Sequence, residues 1–145
     1  MSENHLNIVK NYLSHLKNKE LELAMSYVAD DTIWHSDNIN APWSGTHHGK
    51  KALLKHLENI KKYTKSFKKE VYDLVAGENS NYVYEYGHLS CEFPHTQEIF
   101  NTYIISIYEI IDRKIHSYRV LEDNKSLYQI YHQCNLATRS LSHSK

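Results

Sequence analysis

The sequence predicts an α+β fold: a strongly curved antiparallel sheet, wrapped by three N-terminal helices, forms a cone that encloses a pocket. Two observations carry this. Up to about residue 62, apolar residues recur at spacings of three and four, the period of a helix with one buried face. After Ser66 the texture changes to long alternating segments rich in β-branched and aromatic residues, separated by short polar turns. Helices gathered on one side of an antiparallel sheet make a two-layer α+β domain, and a bent sheet under such helices leaves a cavity.

From Glu3 to about Asn18, Leu6, Val9, Leu13 and Leu16 form one helical face, and Tyr12 borders it with its hydroxyl able to reach the interior. A second short helix is expected from Lys19 to Tyr27, with Leu21, Ala24 and Val28 on one side and Asp30-Asp31 stopping it. Thr32 to His35 reads as a short strand. Asn38 to Gly49, with Asn, Pro, Ser and Gly, reads as a loop. Lys50 to about Lys62 is a third helix that buries Leu53, Leu57 and Ile60.

Four strands follow: Phe67 to Ala76, Tyr82 to Phe93, Glu98 to Ile111 and Ile115 to Glu122. Gly77–Asn81, Pro94–Thr96 and Asp112–Lys114 turn them into a meander. Ser126 to His132 has helical spacing at Leu127, Ile130 and Tyr131. Residues 1–133 are expected to form one domain and 134–145 a polar tail.

Composition narrows the function classes. Seventeen basic residues balance seventeen acidic ones, so net charge gives no reason to expect nucleic acid or an anionic membrane as partner. Mean hydropathy is −0.64, and no apolar run approaches the roughly 20 residues that span a bilayer. The N-terminus lacks a basic start followed by an apolar core, so a cytoplasmic location is expected. Cys91 and Cys134 have no metal-ligand spacing and are expected as reduced thiols. The adjacent His47 and His48 lack a third ligand at fixed spacing, so no metal and no other cofactor is expected.

Candidate site residues concentrate where the chain carries polar aromatic groups. Both tryptophans, Trp34 and Trp43, flank the loop after the first strand, a natural pocket mouth. His35, at the end of that strand, titrates near neutral pH and suits a general base, with Asp37 two residues on. In the strand from Tyr82, Glu85 is expected to face water, which turns Tyr84, Tyr86 and His88 inward as the wall of a polar pocket. In the next strand, Glu109 facing out puts Thr102, Ile104, Ser106 and Tyr108 inside. In the last strand, His116, Tyr118 and Val120 share one face, and Arg119, Leu121 and Asp123 share the other. Polar residues on both faces leave the choice open.

Three stretches carry a family resemblance: NYLSHLKNKELELAMSYVADDTIW, PWSGTHHGKKALLKHL and RKIHSYRVLEDNKSLYQI. In their order and spacing the chain resembles the nuclear-transport-factor-2-like (NTF2-like) superfamily, in its ketosteroid isomerase and SnoaL-like polyketide cyclase branch, from about Glu3 to His132. The resemblance implies the cone fold and a small-molecule pocket. Ketosteroid isomerases use a helix tyrosine, a carboxylate base on the first strand and a protonated aspartate on a late strand. These fall on Tyr12, on His35 or Asp37, and near Ser106, where this chain has no carboxylate.

The cyclase branch keeps an acid-base aspartate near the last strand, which implies that role for Asp123, in a D-x-x-x-L-x-Q context with Arg119 before it. Asp123 also reads as a cap for the segment that starts near Ser126. The expected function is cofactor-independent proton transfer, an isomerisation or aldol-type cyclisation, on a small hydrophobic, carbonyl-bearing molecule in a homodimer. His35, Asp37 and Asp123 are the candidate catalytic residues. Tyr12, Trp34, Trp43, Tyr86, His88, Ser106 and Arg119 are the candidate substrate contacts. The alternatives are a non-catalytic binding or dimerisation domain, and a hydrolase or dehydratase that holds water between Asp123 and Arg119.

Overall fold

The computed structural model describes residues 2–36, 44–94, 96–123, 127 and 129–131. Their elements are α1 (Ser2–Lys17), α2 (Leu21–Met25), β1 (Val28–Ser36), β2 (Gly45–His48), α3 (Lys50–Tyr63), β3 (Ser66–Ala76), β4 (Tyr82–Glu92), β5 (Ile99–Ile111) and β6 (Lys114–Leu121). The six strands form one curved, unclosed sheet in the order β2-β1-β6-β5-β4-β3. All neighbours are antiparallel except β1 and β6, which run parallel. The expected α+β cone and its meander are present.

Three local expectations differ from the structure. The second helix is only five residues long. It buries Ala24 and Met25 and leaves Leu21 and Leu23 exposed, while Val28, Asp30 and Asp31 belong to β1. The supposed loop contains β2, whose four residues pair with Ile33–Ser36. Only Thr46 in GTHH favours a strand, so pairing with β1 decides its conformation. Gly49 then turns the chain into α3 at a φ of 89°, a conformation that glycine adopts without strain, and its N–H donates to the Thr32 carbonyl at 2.7 Å.

Helix α1 lays Ile8, Val9 and Tyr12 on the sheet, and α3 adds Leu53; these join Val83, Tyr108, Ile110 and Ile115 in the main core. A second cluster, Leu89, Cys91, Phe93, Phe100, Ile104 and Leu127, fills the other end. Irregularities interrupt the ladder between Val71 and Asp73 and between Glu109 and Ile110. Such bulges increase local twist and bend a sheet. Gly87 sits opposite Val71 at the first of them, where an added Cβ would collide with the Glu70 carbonyl oxygen. The close approach of β3 and β4 there requires glycine.

Candidate functional site

Register decides which side chains face the interior, because residues directly opposite in an antiparallel pair lie on one face. Ser106 and Tyr108 point inward as expected, and both are fully buried. Their partners on β4 are Glu85 and Val83, and their partners on β6 are Val120 and Tyr118. Glu85 therefore faces the core and is fully buried, which corrects the expectation that it meets water. Tyr82, Tyr84 and Tyr86 are exposed on the outer face, and His88 is on that face too, with its ring 5.4 Å from Tyr103. The inner-facing set of β4 is Val83, Glu85, Gly87, Leu89 and Cys91: four small or apolar residues and one acid.

The interior holds a cavity of about 980 Å³ between α1, α3 and the sheet. One end is aromatic. Tyr12, Trp34, Tyr108 and Tyr118 all line it. Trp34 stacks on Tyr118 at 4.6 Å between ring centres, Tyr108 meets Tyr118 edge-on at 5.0 Å, and Tyr12 lies 6.2 Å from Trp34. Burial raises the ionisation of Tyr12, Tyr108 and Tyr118 above the ordinary tyrosine range. The charge of Glu85 adds to the rise in all three, and the hydrogen bond from Ser106 partly opposes it in Tyr118. The hydroxyls accordingly stay protonated as hydrogen-bond donors at any ordinary pH.

Behind this end lies a polar cluster. Tyr108 donates its hydroxyl hydrogen to Glu85 Oε1 at 2.8 Å, and Lys69 Nζ lies 3.3 Å from the same oxygen and 3.1 Å from Oε2. A buried carboxylate is tolerable only when paired in this way. Ser106 and Tyr118 share a hydrogen bond of 3.1 Å between their hydroxyls.

His56 supplies the ionisable group on the helical side. It is buried on α3 and lines the cavity. Its ring packs at 4.4 Å against that of His47, which stands opposite Trp34 in the β1–β2 ladder and so shares the face of Trp34. The imidazole and the tyrosines thus line the same cavity. Sequence reading overlooked His56, although Leu53, His56, Leu57 and Ile60 follow the i, i+3, i+4, i+7 spacing of a single helix face.

The remaining sequence candidates separate. Tyr12 and Trp34 line the cavity. Ser106 is buried behind its wall, bonded to Tyr118. His35 lies on the outer face of β1, with Nδ1 3.4 Å from Thr46 Oγ1, and borders a separate depression of about 390 Å³ with Arg119, Tyr82 and Tyr84. Asp123 is exposed; its N–H donates to Thr102 Oγ1 at 3.4 Å, and its carbonyl accepts from the Leu127 N–H at 3.3 Å. The acid that lines the cavity here is the preceding residue, Glu122, just beyond the end of β6. Neither Arg119 nor Asp123 is among the residues that line the cavity. Asp37 and Trp43 lie outside the described residues.

Cys91 also lines the cavity. Burial, helped by the charges of Glu122 and Glu92, pushes its thiol up to about 12, which makes it a poor nucleophile. Among the described residues, no group of three or more His, Cys, Asp and Glu is placed to hold a metal ion, and no helix is long and apolar enough to cross a membrane.

No protein-family model matches the sequence, and no curated protein matches it. Solved structures do resemble it. An NTF2-like protein from Burkholderia xenovorans superimposes with a TM-score of 0.77 at 19% identity, over 90% of this chain and 98% of its own. A protein of unknown function with a cystatin-like fold from Xanthomonas campestris gives 0.75 at 20%, over 88% and 95%. An LEH-like epoxide hydrolase from M. tuberculosis gives 0.63 at 12%, over 99% and 98%. Identities this low establish the architecture and leave the chemistry to the site.

Proposed function

We propose that this chain, which has the NTF2-like fold, binds a small, largely apolar carbonyl compound and moves a proton on it without a cofactor, as the SnoaL-like and ketosteroid isomerase-like resemblance implies. The observation that carries the reading is that the buried imidazole of His56 lines the same cavity as Tyr12 and Tyr118, whose hydroxyls stay protonated. In this scheme His56 takes a proton from the carbon next to the carbonyl. Tyr12 and Tyr118 donate hydrogen bonds to the oxygen on which negative charge develops, and His56 returns the proton to a different carbon. Trp34 provides an apolar wall for the substrate. A cavity of this size, mostly apolar with a few convergent polar groups, suits a molecule of drug-like dimensions.

The test is exchange of α-protons of cyclic ketones in deuterated buffer, followed by proton NMR. Wild-type protein should accelerate exchange above buffer, and His56→Gln and Tyr12→Phe should each slow it. No acceleration by a folded wild-type protein across the panel would sink the enzymatic reading.

A second reading, a binding domain without catalysis, draws on a different observation. The fully buried acid Glu85 is engaged by Tyr108 and Lys69, and a serine stands where the resemblance calls for a protonated aspartate. Under either reading the chain pairs with a second copy through the outer sheet face. There Tyr72, Tyr82, Tyr84, Tyr86 and Tyr103 are exposed together with Ile105 and Leu121, more apolar surface than a solvated face needs.

A further inference from the structure

We infer that the cavity selects an anion: an apolar carboxylic acid whose carboxylate is received by the Lys69 ammonium. This rests on the reading of the cavity as the ligand site. Lys69 lines the cavity, while Glu85, its counter-charge, is fully buried behind the wall. A ligand therefore meets the positive end of the pair. The ammonium carries three N–H donors, and its contacts go to the two oxygens of one carboxylate, so donor capacity remains toward the cavity, where the Lys69 side chain is 23% exposed.

The pair also holds Lys69 in place before the ligand arrives, which lowers the ordering cost of binding. The neighbouring Tyr12 hydroxyl is a protonated donor. The cavity is also lined by Lys10 and Lys17 from α1 and by Lys19 just beyond it, so four lysines border it against two glutamates, Glu70 and Glu122. A cleft with this balance draws in anions and raises their association rate. Its donor-rich interior is matched by a ligand that offers acceptors.

The experiment compares biphenyl-4-carboxylate with biphenyl-4-carboxamide, which have nearly the same shape, by calorimetry at neutral pH. Wild-type protein should bind the acid about tenfold or more tightly than the amide, as expected for a charge-assisted hydrogen bond. Lys69→Met alone strands Glu85 and is a poor test of binding. The paired variant Lys69→Met/Glu85→Gln removes both charges together, a change that buried pairs commonly tolerate, and it should lose the preference. Glu85→Gln alone frees the ammonium from its counter-charge and should bind the acid more tightly.

These opposite signs would not come from a structural role alone. Equal binding of acid and amide by wild type, or a preference kept by the folded paired variant, overturns the inference and leaves the cavity reading intact. Binding of neither probe by wild type overturns the cavity reading, and the inference falls with it.

Discussion

The hydroxyl of Tyr108 and the carboxylate of Glu85, both fully buried, meet at 2.8 Å across adjacent strands, with Glu85 also clamped by Lys69. Removing one member of such a buried charge cluster leaves the others unsatisfied. Glu85→Ala should lower unfolding free energy by about 3–5 kcal/mol, and Tyr108→Phe by about 1–3 kcal/mol. The two losses should not add, because both variants break one bond. Urea denaturation of the singles and the double gives the coupling, and additivity would mean that the bond contributes nothing.

His56 offers the most direct test of the proton-transfer scheme. His56→Gln keeps most of the volume and a polar group at a buried helical position. It should reduce the rate of ketone proton exchange by about a hundredfold, a typical contribution of general acid–base catalysis. Ligand affinity should change little. If affinity collapses while the residual exchange rate holds, His56 is a packing residue.

Alkaline titration has a defined sign. Folding raises the ionisation of Tyr12, Tyr108 and Tyr118 above that of unfolded tyrosine, near pH 10, and raises the Cys91 thiol to about 12. The unfolded chain then loses these protons first. Stability from this source is complete well below about pH 8.5, where unfolded thiols are half ionised, and drains away as pH climbs toward the folded-state values. Urea midpoints at rising alkaline pH should fall steadily, with a shallower slope in Tyr12→Phe. A flat profile up to about pH 11 would contradict the burial of these groups.

Gly87 marks a close approach of β3 and β4, where a Cβ would press on the Glu70 carbonyl beside the β3 bulge. Gly87→Ala should destabilise by about 1–3 kcal/mol through forced backbone movement. Thermal unfolding followed by circular dichroism measures it. An unchanged midpoint would mean that the bulge yields freely.

On the outer face Tyr103 is 65% exposed and contacts the rings of Tyr72, Tyr86 and His88. A charge there should repel a second copy without disturbing the core. Sedimentation velocity should show wild type as a dimer and Tyr103→Glu as a folded monomer. A monomeric wild type would remove the proposed interface.

Much of the architecture was legible because helical and strand periodicities are local properties. α1, α3 and the four long strands fall within one residue or so of the spans read from the sequence. β2 was not legible, since GTHH becomes a strand only through its neighbour. The site was half legible. Tyr12 was singled out because it borders the apolar face of α1, and Trp34 because it stands beside the loop after the first strand; both line the cavity.

What the sequence determined by itself was the order of α1, α3 and the four long strands, the buried faces of α1 and α3, and the inward side of β5. Which face of β4 and β6 meets the cavity was decided only by tertiary pairing. Alternation has a period of two, so β4 offers two self-consistent faces, one with four hydroxyl or imidazole rings and one with a glutamate among apolar residues. The register Glu85↔Ser106 selects the second, and Lys69 and Tyr108, brought in from β3 and β5, supply the partners that make a buried acid tolerable. In β6 the bulge beside Ile110 lets Ile115 and Tyr118 both point inward despite their odd separation. That places Glu122, and not Asp123, on the cavity wall.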